Sequence, residues 1–321
     1  MKPNKYIIFF ARKFWFWTWK KLMNGFAPSD QDGNYQRPDG LFFDKSFKGN
    51  YKKNSKLYLL VGKSCPWCHR VLLLHKLKNL SNEIIIIFLK PDIEKGRWIF
   101  QDNFLHGCKS LEDIYKKSNN NINISLRETL PVLISSRKET FSILSNESAG
   151  ILSFLNSKIN KGSLETSLIN DSDSYEMDLI NRRINNGVYK CGFSRNQKAY
   201  IKASNELFTA LDIIENRLKA SEGKWLYGKR ISMADIYLFP TLIRWELIYS
   251  KLFKCTKKEI SEYENIMHWR FNFFNLKGID KTCFATVWAE DYYKALFPLN
   301  PNQIVPIQDS LENILKKSKK I

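Results

Sequence analysis

Histidine is scarce in this sequence, and most of its cysteines stand alone. The chain of 321 residues has four dispersed histidines and six cysteines, of which only Cys65 and Cys68 are close together. A structural zinc site needs a second Cys or His pair at matching spacing, and the sequence offers none, so no metal is predicted. Because the other cysteines lack the spacing of a disulfide framework, we expect a reducing compartment, the cytoplasm.

Long uncharged hydrophobic runs are also absent. Residues 1–28 alternate aromatic side chains with Lys and Arg, and their uncharged run is far shorter than the roughly 20 residues of a spanning helix. They also lack the clean apolar core and small-residue cleavage site of a signal peptide. Two interpretations stay open: an arm that packs on the body of the protein, or an amphipathic helix that contacts a membrane surface.

Acidic residues are outnumbered by basic ones. The sequence has 51 Lys and Arg against 32 Asp and Glu, a formal net charge of +19. Such a charge can indicate nucleic acid or an anionic membrane as the partner. Lysine is abundant along the whole chain instead of in one stripe, and no nucleic-acid-binding motif accompanies it. We therefore predict no nucleic acid partner, and the charge is compatible with small anionic ligands.

Residues 56–80 carry the clearest chemical signal. Residues 57–61 are typical of a buried strand, and apolar side chains recur at helical spacing after Pro66. Cys65 then lies beside unpaired backbone N–H groups and the positive end of a helix dipole, which stabilise a thiolate. Positive charge is added by Lys63, His69 and Arg70. This pattern indicates thiol redox or thiol-transfer chemistry; half a zinc site and a chemically silent thioredoxin-like fold are the alternatives.

The predicted elements divide the chain into an α/β part and a helical part. Residues 56–156 give a β-α-β unit, a strand entered through a proline, another strand and a helix, which predicts a small domain with a mixed sheet. Within it, residues 92–100 are predicted to be a loop and residues 111–117 a short helix. Residues 157–174 are polar and form the predicted linker to an all-helical domain at 175–321. In that domain residues 234–249 are a predicted helix, and Asp235 is interpreted as a cap at its N-terminus instead of a catalytic acid. Residues 1–55 are the arm and an irregular connector.

The motif CPWCHR at 65–70 resembles the active site of glutathionyl-hydroquinone reductases, the xi class of the glutathione transferases. The resemblance extends from about residue 57 to 307 through an ordered set of motifs: GRWIF at 96–100, LPVL at 130–133, NES at 146–148, NGVYKCGF at 186–193 and LFPTLIR at 238–244. It implies an α/β thioredoxin-like N-terminal domain, an all-α glutathione-transferase C-terminal domain and a homodimer. It also implies glutathione as co-substrate.

The resemblance assigns glutathione contacts to Trp98, Arg127, Leu130, Pro131, Glu147 and Ser148. A cis bond before Pro131 would turn the backbone of Leu130 toward the ligand. The helix N-terminus at Glu147 would take the γ-glutamyl end, and Arg127 the glycyl carboxylate. Core packing is the alternative role of Trp98, and a simple helix cap is the alternative for the pair at 147–148.

The resemblance also implies catalytic roles. Cys65 would attack the sulfur of a glutathionylated hydroquinone, and Tyr189, Tyr249 and Tyr293 would surround the aromatic ring and help to protonate it. Tyr292 is adjacent to Tyr293; the sequence leaves open which of them faces the site, and we name Tyr293. A second glutathione would resolve the mixed disulfide on Cys65.

Position 68 departs from the family, which usually has Ala where this chain has Cys. Cys68 is either a small buried helix residue or a second thiol in a dithiol, glutaredoxin-like cycle. The alternatives to a glutathionyl-hydroquinone reductase are therefore a broader thiol transferase or dehydroascorbate reductase using Cys65 and Cys68, and a non-catalytic glutathione-binding or membrane-surface protein.

Overall fold

The computed structural model describes residues 5–37, 54–118, 128–138, 140–158 and 175–316. The predicted linker lies outside these ranges except for residues 157–158, which end a helix, and so does Arg127. The boundaries proposed for the domains therefore stay a prediction.

Six strands form one mixed sheet in the α/β part of the chain. They are β1 (Lys56–Gly62), β2 (Ile84–Asp92), β3 (Arg97–Phe104), β4 (Cys108–Ser110), β5 (Val132–Arg137) and β6 (Thr140–Ser145). Their order is β4-β3-β2-β1-β5-β6, with β1 and β2 parallel and the other neighbours antiparallel. Helix α2 (Pro66–Leu77) connects the parallel pair, as a crossover between parallel strands requires.

The prediction of a loop over residues 92–100 is wrong beyond residue 96. A short turn at 93–96 joins two antiparallel strands, and Arg97 pairs with Asp92 across this hairpin. Gly96 provides the positive φ of +61° that the turn uses. The Gly-Arg-Trp sequence suggested a loop because its turn signal is local, whereas the pairing of β3 with β2 places Trp98 in the sheet.

The remaining elements are helical. After α3 (Leu111–Lys117) and α4 (Ser148–Lys158) in the first domain, the second contains α5 (Tyr175–Leu179), α6 (Gly187–Phe193), α7 (Gln197–Lys219), α8 (Met233–Leu242), α9 (Glu264–Phe274), α10 (Ala285–Ala295) and α11 (Leu311–Lys316). The predicted helix over 234–249 ends at Leu242 and resumes as a π-helical turn, Trp245–Tyr249. Pro240 lies inside α8 and has no N–H to donate, which favours an early end.

Helix α2 joins the two domains. It contacts α4 on the side of the sheet and α8 in the helical domain, so residues around most of its circumference are buried. Its polar residues His69 and Arg70 are buried as well, and both hydrogen-bond to residues of the helical domain. The segment that carries Cys65 is therefore held between the two domains.

The first element of the described residues is helix α1 (Lys5–Phe26), which lies outside both domains. Residues 5–17 are exposed, whereas Met23 is buried and the Nε1–H of Trp19 donates to the carbonyl oxygen of Pro298 at 2.9 Å. The segment is thus helical, and within the described ranges its last turns are the part that packs on the body.

Candidate active site

A cavity of about 300 Å³ opens beside Cys65, where the two domains meet the segment after α1. Its walls come from all three parts of the chain and include Phe26, Tyr35, Arg37, Trp98, Leu130, Tyr189 and Tyr292. A larger cavity of about 760 Å³, between α10 and the C-terminal tail, is lined by none of the predicted site residues. The cavity at Cys65 is therefore the candidate active site.

Cys65 is the N-cap residue of α2, with Pro66 in the first helical position, as the sequence predicts. Its Sγ accepts a hydrogen bond from the backbone N–H of Cys68 at 3.4 Å. The pKa of the Cys65 thiol is lowered from 9.0 to about 7, first by the hydrogen bond with the Cys68 side chain; burial opposes the shift, and backbone N–H groups and the charge of Arg244 add to it. A large fraction of Cys65 is thus thiolate, the nucleophilic form, at neutral pH.

Cys68 lies behind Cys65 and is fully buried. Its Sγ accepts a hydrogen bond from the backbone N–H of Gly62 at 3.4 Å. Burial raises the pKa of the Cys68 thiol well above its usual value of 9.0, so this thiol keeps its proton at neutral pH. The two cysteines are not joined in a disulfide. Cys68 is therefore a hydrogen-bond donor that supports the Cys65 thiolate.

A buried arginine supplies positive charge from behind the site. Arg244 is fully buried, its Nη1 lies 2.8 Å from Nδ1 of His69, and its guanidinium stacks 3.8 Å from the ring centroid of Trp288. Since arginine can only donate, His69 accepts at Nδ1 and donates from Nε2 to Thr282 Oγ1 at 3.0 Å. Burial, and then the charge of Arg244, lower the pKa of His69 well below its usual value. His69 is thus neutral, and Arg244 carries the charge.

The peptide bond between Leu130 and Pro131 is cis, as predicted. It places the carbonyl oxygen of Leu130 3.7 Å from Cys65 Sγ. Trp98 lines the same cavity and also packs over Gly62, where an added Cβ would lie 2.6 Å from the indole ring. Both interpretations of Trp98, ligand contact and packing, are thus compatible with its position.

Ser148 begins α4 and Glu147 directly precedes it, but neither lines the cavity at Cys65. Glu147 is half-buried, and Ser148 is buried. The Oγ of Ser148 accepts a hydrogen bond from Arg70 at 3.5 Å, and the same guanidinium donates to Asn181 at 3.1 Å. The roles assigned to these two residues stay predictions, as does that of Arg127.

Three tyrosines of the helical domain form a connected cluster at the cavity. The hydroxyl oxygens of Tyr189 and Tyr292 lie 2.5 Å apart, and that of Tyr249 lies 3.5 Å from Tyr292. Tyr189 and Tyr292 line the cavity, while Tyr249 is fully buried behind them. Burial raises the pKa of all three hydroxyls. They are therefore protonated at neutral pH and can donate a hydrogen bond or a proton.

The cavity geometry favours Tyr292 over Tyr293, the residue named from the sequence. Tyr293 points away from the cavity, and its hydroxyl donates to the carbonyl oxygen of Leu247 at 3.3 Å. Asp291 and Tyr292 are the consecutive residues of α10 that line the cavity, and Tyr293, about 100° further round the helix, lies on another side of it.

Sequence reasoning missed the part of the site that precedes β1. Phe26, Tyr35 and Arg37 line the cavity. The guanidinium carbon of Arg37 lies 3.5 Å from the ring centroid of Trp67, and its Nη1 donates to Asn186 at 3.2 Å. No motif marks this contact, because it joins an irregular segment to a residue distant in sequence.

Family models match parts of both domains. The glutathione S-transferase N-terminal domain model matches residues 64–158, and the C-terminal domain model matches residues 197–270. The chain is 32% identical over 289 residues to the glutathionyl-hydroquinone reductase PcpF of Sphingobium chlorophenolicum, an alignment that covers 86% of this chain and 90% of that protein. It is 30% identical to the glutathionyl-hydroquinone reductase YqjG of Escherichia coli, with 85% of each chain covered.

Solved structures agree with these relatives. The structure of glutathione-bound YqjG from Escherichia coli superposes with a TM-score of 0.71 at 29% identity, covering 90% of this chain and 95% of that one. The glutathione S-transferase Xi of Phanerochaete chrysosporium superposes with a TM-score of 0.74 at 28% identity, covering 88% and 94%. The α/β domain followed by an all-helical domain is thus the fold of this class.

Proposed function

This chain belongs to the glutathionyl-hydroquinone reductases, the xi class of the glutathione transferases, and on that basis we propose that it reduces glutathionyl-hydroquinones to hydroquinones. Glutathione is the co-substrate. The observation that supports the proposal best is the pairing of a low-pKa cysteine with protonated tyrosines in one cavity. This reaction needs two groups: a nucleophile that attacks the glutathione sulfur, and a donor that protonates the ring carbon.

In the first step the Cys65 thiolate attacks the glutathione sulfur of the substrate. A sulfur–sulfur bond forms, the bond between sulfur and the ring carbon breaks, and its electron pair stays on that carbon. The carbon then takes a proton from the pair of hydroxyls on Tyr189 and Tyr292, which lie 2.5 Å apart. The ring is reduced by two electrons, and Cys65 is left as a mixed disulfide with glutathione.

In the second step a glutathione thiolate attacks that mixed disulfide. Oxidised glutathione leaves and the Cys65 thiolate is regenerated, since the thiol with the lower pKa leaves faster. The cis peptide at Leu130 and the N-terminus of α4 are the groups we assign to holding the tripeptide.

A reducing compartment such as the cytoplasm suits this step because glutathione must be present as thiol. A homodimer is the assembly we propose with it.

The test is turnover of a glutathionyl-hydroquinone at pH 8 with excess glutathione, with the protein mass read during the reaction. We expect wild type and Cys68→Ala to turn over, Cys65→Ser to be inactive, and the trapped protein to carry one glutathione. If wild type reduces only simple mixed disulfides and requires Cys68, the enzyme is a glutaredoxin-like thiol transferase or a dehydroascorbate reductase, and the proposal is wrong. Glutathione binding without turnover of any of these substrates would instead indicate a non-catalytic protein.

A further inference from the structure

Helix α1 exposes an unusual amount of aromatic surface. Its large apolar side chains from Tyr6 to Trp17 are all 44% or more exposed, and Phe10 and Phe14 reach 66% and 69%. Contiguous exposed apolar surface of this kind marks an interaction site on a protein. Since the described part of the body covers the last turns of the helix and leaves residues 5–17 exposed, this surface of α1 can accept a partner.

The attachment of α1 to the body is confined to its C-terminal end. Met23 is fully buried, the indole of Trp19 donates to Pro298 and lies against Arg195, and Phe26 packs edge-on against Phe193. At 1.5 Å per residue the 22 residues span about 33 Å. The exposed N-terminal part of α1 therefore projects from the protein, while these contacts hold its C-terminal end.

The two sides of α1 differ in character. At 100° per residue, Ile7, Phe10, Phe14 and Trp15 fall in one broad apolar arc. The opposite side carries Met23, which faces the body, most of the cations, and also Phe9 and Phe16. The basic residues of the helix are Lys5, Arg12, Lys13, Lys20 and Lys21, and it has no acidic residue. One side of the helix is thus mainly apolar, the other mixes aromatic rings with cations, and the charge is of one sign.

The lysines lie along the aromatic rings. The Nζ of Lys13 is 4.4 Å from the ring centroid of Phe9, and that of Lys21 is 4.4 Å from that of Trp17. A lysine placed this way covers apolar surface with its methylene stem while its ammonium remains in water or among headgroups. Tryptophan beside lysine is also the combination favoured where a membrane meets water.

An anionic lipid surface fits these features better than a second copy of the chain. Pairing two copies of α1 would place side by side two helices that each carry five basic residues and no acidic one, and their like charges would repel. Anionic headgroups instead neutralise the cations while the aromatic rings enter the boundary with the acyl chains. Burying Arg12 and Lys13 in hydrocarbon would be costly, so the helix would lie in the plane of the interface.

We propose that α1 binds the surface of an anionic bilayer, with Ile7, Phe10 and Phe14 inserted between headgroups. None of the helices in the described ranges combines the length and apolar character needed to cross a membrane. Phe26, which ends α1, also lines the cavity at Cys65, so this attachment brings the cavity opening near the lipid. The inference depends on α1 alone and holds for any reaction catalysed at Cys65.

Flotation of the full-length protein with vesicles tests the proposal. We expect wild type to float with phosphatidylcholine vesicles that contain about one third phosphatidylserine, to float poorly with phosphatidylcholine alone, and to dissociate as salt rises. The triple variant Phe10→Ser, Phe14→Ser and Trp17→Ser should bind at least about tenfold more weakly. Two exposed apolar residues elsewhere, changed as Tyr175→Ser and Ile201→Ser, are the control and should not alter binding.

A second pair of variants tests the charge. Arg12→Gln with Lys13→Gln should weaken binding to anionic vesicles, whereas Lys229→Gln with Arg230→Gln, exposed and distant in sequence, removes the same charge and should not. The proposal is overturned if wild type remains unbound, or if the α1 variants float as well as wild type. It is also overturned if light scattering shows a larger oligomer that forms without lipid and disappears in the Phe10, Phe14 and Trp17 variant, because α1 would then join two copies.

Discussion

The thiols of Cys65 and Cys68 lie in one turn of α2, yet their pKa values move in opposite directions. Cys65 receives hydrogen bonds from Cys68 and stands at the cavity, so its thiolate is stabilised. Cys68 is fully buried, so its thiolate would be desolvated. Cys65 is thus available as the nucleophile, and Cys68 keeps its proton and donates a hydrogen bond to Cys65.

The first prediction concerns the pH dependence of Cys65 alkylation. Only the thiolate reacts, so the rate with iodoacetamide should rise with pH, be half-maximal near pH 7 and level off above it. Cys68→Ala removes the largest stabilising contribution, so the midpoint should move to higher pH. Cys65→Ser should lose the fast reaction, because burial raises the pKa of the other half-exposed thiol, Cys283, to about 12. An unchanged midpoint in Cys68→Ala would contradict this account.

The second prediction separates the two adjacent tyrosines. Tyr292→Phe should lower kcat for glutathionyl-hydroquinone about 10- to 100-fold, since it removes a hydroxyl of the proton-donating pair. Tyr293→Phe is the matched control. It should leave kcat nearly unchanged and destabilise the fold by about 1 kcal/mol, because it removes only the hydrogen bond to Leu247. Steady-state kinetics and urea unfolding of both variants measure the difference, and the reverse pattern would return the role to Tyr293.

At the scale of elements, the N-terminus of α8 is held by hydrogen bonds from several segments of the chain. Ser232 and Asp235 form a reciprocal capping box, and Asp235 also accepts hydrogen bonds from Leu226 N–H at 3.1 Å and Trp269 Nε1–H at 2.7 Å. All of these donors converge on one fully buried carboxyl group. The sequence interpretation of Asp235 as a cap instead of a catalytic acid is therefore confirmed by its contacts.

The third prediction follows from this cap. Asp235→Ala leaves several buried donors without an acceptor, and each costs about 1–3 kcal/mol, so we expect a loss of about 3 kcal/mol or more in the free energy of unfolding. Ser232→Ala, which removes one hydroxyl of the same box, should cost about 1 kcal/mol. Urea denaturation measures both, and equal effects of the two variants would show that the contacts of Asp235 beyond α8 contribute nothing.

At the scale of the whole molecule, hydrogen bonds join the segment around Cys65 to the helical domain. Trp288 Nε1–H donates to the carbonyl oxygen of Lys63 at 2.9 Å, and His69 and Arg70 bond to Thr282 and Asn181. Buried apolar residues of both domains also belong to one continuous core. The cavity exists only while the two domains are docked.

The fourth prediction is that the two domains unfold together. Alkylation of the buried thiols of Cys191 and Cys255 reports on the helical domain, and alkylation of the buried thiols of Cys68 and Cys108 reports on the α/β domain. In urea both signals should change at the same midpoint, because a shared core couples the domains. Two separated midpoints would show that the domains are independently stable.

Signals between residues that are close in sequence determined many features of this fold and site. The position of Cys65 at a helix N-terminus, the start of α2 at Pro66, the capping box at Ser232 and the helix over 111–117 all follow from signals within a few residues of each other. The ordered motifs gave the family, and with it the two-domain fold and the cis bond before Pro131. Such features are readable because helix caps and turns are satisfied by their own neighbours in sequence.

Only the tertiary structure decided the rest of the cavity. Tyr292 and Tyr293 are both buried, so an apolar pattern cannot tell which of them faces Cys65; the packing of α10 decides it. The stacking of Arg37 on Trp67 and the pairing that places Trp98 in β3 likewise join segments that carry no mutual signal. Side-chain direction in these places is fixed by contacts between distant segments, which local periodicity does not encode.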